Sequence, residues 1–193
     1  MLTANDLIRI KVTRSKLSEC IRSFFPLNDH YSDVIWWIDE FNNAFEVKEN
    51  IPLYIDLLAE EVYEFMEQLV VQGARSNLLK EAVDVCYILE GMIAMCPDEE
   101  LPDNIDHDRL DLILDLISEK VVPISKALFD TNTIYEGFKE VHTSNMSKID
   151  RTTGLVIRRE DGKVLKGPDY TPAHIDELYS GSQMLLRIKE RLS

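Results

Sequence analysis

Five carboxylates at helical spacing are the residues of this chain best placed to do chemistry. LLAEEVYEFMEQL carries Glu60, Glu61 and Glu64, and KEAVDVCYILEGMIAM carries Glu81 and Asp84. In the first stretch Leu58, Val62, Phe65 and Leu69 form an apolar stripe at i, i+4, i+7 and i+11. At about 100° per residue the three glutamates fall within an arc of about 100° beside it, with Glu61 on its border. Alone, an EExxE pattern is ordinary on a solvated helix face. The second stretch is apolar nearly all round, as in a helix enclosed by others. There Glu81 and Asp84 share their stripe with Val85, Ile88 and Met92. Carboxylates in such surroundings need something that offsets their desolvation. No Lys or Arg follows Lys80 in that helix, so no local ion pair is expected for Asp84.

Two antiparallel helices joined by QGARSN would set EExxE against ExxD. Carboxylates facing each other across one cleft repel unless cations lie between them. An all-oxygen ligand set selects hard ions, Mg²⁺ or Mn²⁺. A di-iron bundle would need ExxH on two helices, and none of His30, His107, His142 and His174 has a Glu three residues before it. No GxxxxGK[ST] phosphate loop is present, and no cysteine or serine nucleophile constellation can be read from spacing.

The elements that must position these groups follow from periodicity. Helices are expected over Asn5–Phe25, ending at Pro26, and over Asp33–Phe45. A third starts with Pro52 at its first position, runs to about Val71 and ends at Gly73. Ser76 is the expected N-cap of a fourth, Asn77–Met95, closed by Pro97. Asp108–Val122 and Ile124–Phe129 read as one helix interrupted by Pro123, and Thr133–Met146 as a sixth. GLVIRREDGKVLKG has two short β-favouring runs around Asp161-Gly162, a hairpin over about 154–167. A last helix spans about His174–Leu192. The fold class is all-α with a small late β-hairpin, in one domain over 1–193.

A net charge of −14 argues against a general nucleic-acid binder. The acidic excess is central: residues 1–24 hold five Lys/Arg against two acids, and residues 139–166 hold seven against four. Cys20, Cys86 and Cys96 form no CxxC pair and read as reduced core residues of a cytoplasmic protein. No apolar run reaches membrane-spanning length, and the N-terminus lacks a signal-peptide core. No membrane or nucleic-acid partner is expected.

EExxE followed by ExxD on the next helix resembles the all-α nucleoside triphosphate pyrophosphohydrolases, the MazG and phosphoribosyl-ATP pyrophosphohydrolase superfamily. FNNAF (Phe41–Phe45) is similar to the FxxAF segment that precedes the motif in phage-type members. KEVHTSNMSKID and EDGKVLKGPDYTP are similar to that branch's EVHxSNMSK and DGKVxKGPxYxP. The resemblance covers about residues 33–175. It implies that Glu60, Glu61, Glu64, Glu81 and Asp84 hold Mg²⁺ or Mn²⁺, and that a (d)NTP is cleaved to (d)NMP and pyrophosphate. Glu60 or Glu61 would take the proton of the attacking water. Asn145 and Lys148, at i, i+3 on one helix, with Lys163 and Lys166 flanking the hairpin, would hold the phosphates. Tyr87, one turn beyond Asp84, would stack on sugar or base, or pack in the core. Of the adjacent Trp36 and Trp37, one is expected in the core and the other as a base platform or an oligomer contact. His142 is expected only to cap or pack. Members of the family pair subunits, so a homo-oligomer is expected, a dimer or dimer of dimers, with Ile113, Leu116, Ile117 and Val121 in the packing. Similarity to MazZ-type members points to (d)GTP or dATP. A dUTP or dCTP house-cleaning enzyme and a catalytically silent acidic helical module are the other readings.

Overall fold

Leu79, Ala82, Val83, Val85, Cys86, Leu89 and Met92 project from every side of one helix and are all fully buried, so other elements must enclose it. In the computed structural model, which describes residues 12–25, 29–96, 98–176 and 178, this helix is α4 (Arg75–Met95). Around it pack α1 (Arg14–Phe24), α2 (Asp29–Ala44), α3 (Ile51–Val70), α6 (Val122–Leu128) and α7 (Thr131–Met146). The remaining helix, α5 (His107–Leu116), lies against α1 and α3. The described residues form an all-α fold with one hydrophobic cluster running through all these helices. No described helix is long and apolar enough to cross a membrane.

Caps set most helix starts. The Thr13 backbone is extended and its hydroxyl accepts from the Lys16 N–H, so α1 begins at Arg14 rather than continuing from Asn5. Residues 5–11, Pro26, Pro97 and most of the expected last helix lie outside the described residues; of that helix, Ile175, Asp176 and Leu178 are helical. Asn50, Asp106 and Asp130 cap α3, α5 and α7 through their side-chain oxygens. Such caps each contribute about 1 kcal/mol. Ser76, expected to cap α4, is instead buried within its first turn, and Ala74 takes the cap position with no side-chain bond.

Two further differences have local causes. The α3–α4 connection is only residues 71–74, and the left-handed residue that ends α3 is Gln72, with φ 52°, not Gly73. The Gly73 N–H bonds the Gln68 carbonyl at 2.8 Å and the Gln72 N–H bonds Leu69 at 3.3 Å, the paired bonds of a Schellman ending. At Pro123 the helix does not stop. It widens into a π turn over Ile117–Val121, where the Val122 N–H reaches back five residues to the Ile117 carbonyl. A proline lacks the N–H for the usual bond and crowds the carbonyl four back, and the wider turn accommodates both. Ile113, Ile117 and Val121 are buried inside this chain, which corrects their expected role in subunit packing; only Leu116 is partly exposed.

The chain reverses at the expected hairpin, but its arms meet in a single bridge pair, Arg158 with Val164, rather than as strands, and a second bridge joins Val156 to Ile149 just after α7. The turn spans 159–162, closed by Gly162 N–H to the Arg159 carbonyl at 2.9 Å, and Gly162 takes the positive φ of 98°. All three cysteines are buried and free.

A left-handed Gln costs about 1 kcal/mol that glycine avoids. Gln72→Gly is therefore expected to raise stability by about 0.5–1 kcal/mol in urea unfolding. A loss of stability would show that the Gln72 side chain, not its backbone, secures the turn.

Candidate metal centre

The short Schellman connection lays α3 and α4 side by side and antiparallel, which brings one turn of each helix together. Ligand oxygens of Glu61, Glu81 and Asp84 all lie within 4.8 Å of one another. Glu81 is 7% exposed, and Glu61 and Asp84 are half-buried. Glu64 is exposed and lines the cleft beside them. Glu60 is drawn aside: its carboxylate accepts from the Lys163 ammonium at 2.6 Å. So the structure gathers three of the five carboxylates, with Glu64 at the rim and Glu60 on the hairpin side.

Above the carboxylates opens a cleft of about 860 Å³, lined by α3, α4, α7 and the hairpin. Asn145, Lys148, Lys163, Lys166 and Tyr87 all line it. Their convergence has visible causes. Asn50 donates to the Asp161 carbonyl at 3.1 Å and Arg158 bonds the Phe45 carbonyl, which ties the turn to the start of α3 and the end of α2. Thr171 is strapped to the end of α7 by bonds with Ser144 and Ser147, each at 2.8 Å. At Gly167 a Cβ would stand 2.7 Å from the Lys148 carbonyl, so this close crossing requires glycine. Lys166 lies over the Tyr170 ring at 4.7 Å.

Tyr87 belongs to an aromatic cluster. It stacks on Phe138 at 5.1 Å and meets Phe41 edge-on at 5.6 Å, with only its hydroxyl edge toward polar groups. Trp37 packs on Phe138 and His142, while Trp36 is 60% exposed.

Asp84, expected to have no local ion pair, has one. The Lys80 ammonium sits 2.7 Å from Asp84 and 3.1 Å from both Glu81 oxygens. The i, i+4 spacing of Lys80 and Asp84 is the signal that could have revealed it. One ammonium does not neutralise three acids. Desolvation, then Asp84 and Glu64, raise the pKa of Glu61. Desolvation also raises Glu81 and Asp84, against the opposing pull of Lys80. Lys148 moves the other way: burial lowers its pKa, with Lys166 and Lys163 adding to the effect and Asp84 and Glu61 opposing it.

The donor set suits a hard divalent cation. Ligand oxygens about 2.0–2.1 Å from Mg²⁺ stand at most about 4.2 Å apart, so the triad need close by less than about 1 Å. Lys80 would have to swing out, and its 44% exposed side chain has room to do so. The chain matches no family model, no curated protein and no solved structure in comparisons with each.

A carboxylate with a raised folded-state pKa holds extra protons in the native state, so its effect destabilises as pH rises above an ordinary glutamate's 4.5. Without metal, Glu61→Gln is therefore expected to stabilise the protein by about 1 kcal/mol or more at pH 8, and by nothing near pH 4. Thermal unfolding across that range checks it, and a pH-independent difference would refute the charge repulsion.

Proposed function

We propose that this chain is a divalent-metal-dependent nucleoside triphosphate pyrophosphohydrolase of the MazG-like type. The observation that carries the reading is the convergence of Glu61, Glu81 and Asp84 beneath a cleft whose opposite wall supplies Lys148, Lys163 and Lys166. Acids on one side and ammonium groups on the other suit a polyanion that arrives with cations. The motif resemblance of residues 33–175 points the same way, and the cleft volume lies within the range of small-ligand sites.

In this reading Glu61, Glu81 and Asp84 hold Mg²⁺ or Mn²⁺, with Glu64 completing the set from the rim. The ion supplies charge neutralisation for the triphosphate and acidifies water. The lysines hold the phosphate oxygens. Water attacks the α-phosphorus, the α–β bridging bond breaks, pyrophosphate leaves, and the water's proton passes to a glutamate. Glu61, half-buried among the acids, is better placed for that proton than Glu60, which is engaged by Lys163. The substrate is a (d)NTP, with (d)GTP or dATP favoured by the MazZ-type resemblance. The working state is a cytoplasmic homo-oligomer, with the exposed Ile35, Trp36, Tyr63, Val70 and Leu112 as the apolar surface available for it.

One observation favours a second reading. Lys80 already neutralises Glu81 and Asp84 in part, as in a silent helical module that uses no metal. The two readings separate on Mn²⁺ and nucleotide. Product analysis over the eight common NTPs and dNTPs is expected to give monophosphate and pyrophosphate from one or two of them. Asp84→Asn and Glu64→Gln are expected to lower kcat/KM by at least about 100-fold. Turnover of none, with no rise in Tm on adding Mn²⁺ and nucleotide, would sink the enzyme reading in favour of the module.

Lys148→Met is expected to raise KM for the triphosphate about tenfold or more. An unchanged KM would remove Lys148 from phosphate binding.

A further inference from the structure

The three gathered acids already have a cation, supplied by the chain itself. The Lys80 ammonium lies 2.7 Å from an Asp84 oxygen and 3.1 Å from both oxygens of Glu81. These are two of the three groups whose ligand oxygens converge within 4.8 Å. A positive charge at that point competes with any incoming ion for the same oxygens.

Helix geometry alone does not put it there. Lys80 and Asp84, at i, i+4, share a face of α4, but adjacent residues such as Lys80 and Glu81 point about 100° apart. The Lys80 stem must bend across the helix for its ammonium to reach both acids. Attraction to the acids holds it rather than packing: its side chain is 44% exposed, against 9% for Glu81 and 18% for Asp84. A flexible four-carbon stem in that setting can move away without disturbing the core.

The balance of charge favours its departure when a stronger cation arrives. With all three acids ionised, one ammonium leaves two negative charges unbalanced, and a divalent ion in its place leaves one. The displaced ammonium has somewhere to go. Lys80 lines the same cleft as Lys148, Lys163 and Lys166, where a bound polyphosphate would offer oxygens in exchange for the carboxylates given up.

We propose that Lys80 is an exchangeable internal cation: it holds the acids together in the absence of metal, yields its place to Mg²⁺ or Mn²⁺, and passes to the phosphates of the bound ligand. The proposal rests on the metal reading of Glu61, Glu81 and Asp84 above, and adds a coupling to it. Bare metal binds weakly, because it breaks the Lys80 contacts with nothing to receive the ammonium. Metal that arrives with a polyphosphate binds more tightly, because the phosphates receive it. The coupling is reciprocal, so metal tightens polyphosphate binding by the same factor. Such a site discriminates against free divalent ions in favour of the metal complex of its substrate.

Calorimetric titration with Mn²⁺ tests the exchange without turnover. Lys80→Gln is expected to bind bare Mn²⁺ about tenfold more tightly than the unaltered chain. Lys80→Arg, which keeps the charge, is expected to bind it no more tightly. Without metal, Lys80→Gln is expected to unfold at a lower Tm, and saturating Mn²⁺ to erase the difference. The tightening gained when Mn²⁺ is supplied as its tripolyphosphate complex is expected to be about tenfold smaller in Lys80→Gln. Equal or weaker binding of bare Mn²⁺ by Lys80→Gln would mean that Lys80 stays with the acids as a fixed brace, and overturns the proposal. Equal tightening by tripolyphosphate in both chains overturns the passage to phosphate. If neither chain binds Mn²⁺, the metal reading fails and the exchange with it. If the exchange holds and no nucleotide is turned over, only the proposed function falls.

Discussion

Three carboxylates held close together in a partly desolvated setting set the terms for the rest of the molecule. Burial raises the proton affinity of Glu61, Glu81 and Asp84, and neighbouring acids add to it: Asp84 for Glu61 and Glu81, and Glu64 for all three. They cannot relax apart, because Glu81 and Asp84 project from α4, whose other faces are enclosed by five helices. A short Schellman connection fixes α3 against it. Packing supplies the stability, and the site spends part of it keeping like charges together. Such an arrangement binds protons or cations readily, and that is the property on which a metal-dependent reaction would draw.

The basic residues are arranged around the same constraint. Lys80 braces the two α4 acids from within their own helix, and Lys163 holds Glu60. Lys148 and Lys166 line the open wall of the cleft. In a chain of net charge −14, this local gathering of ammonium groups makes an anion's approach possible. The hairpin that delivers them has little regular structure of its own. Side-chain bonds from Asn50 and Arg158 tie its turn to α3 and α2, and Ser144 and Ser147 hold Thr171, just beyond it, to α7, which explains why a single bridge pair suffices.

Much of this was legible in the residues. The all-round apolar pattern of α4 marked a central helix, and Glu81 and Asp84 stood out against it because buried carboxylates need a partner. Helix starts capped by Asp or Asn follow from chemistry within three residues. The misplaced boundaries have equally local causes. Ser76 is a good cap by type, but the four-residue connection required the helix to begin before it. Gln72 took the left-handed position although Gly73 stood next to it. Pro123 was accommodated by a π turn where a break was expected, since burying Ile117 and Val121 favoured a continuous helix.

By itself, then, the sequence determined the helical class, the enclosed helix and the identity of the acidic residues, because periodicity and residue type act over a few positions. Only the tertiary structure decided which acids meet. Glu60 and Glu61 are neighbours in sequence, yet one turns to a lysine 103 residues away and the other to the carboxylates of α4. It also made His142 and Glu40, 102 residues apart, hydrogen-bond partners. Contacts of that range depend on how helices cross, and a crossing is settled by the whole packed core rather than by any segment of it.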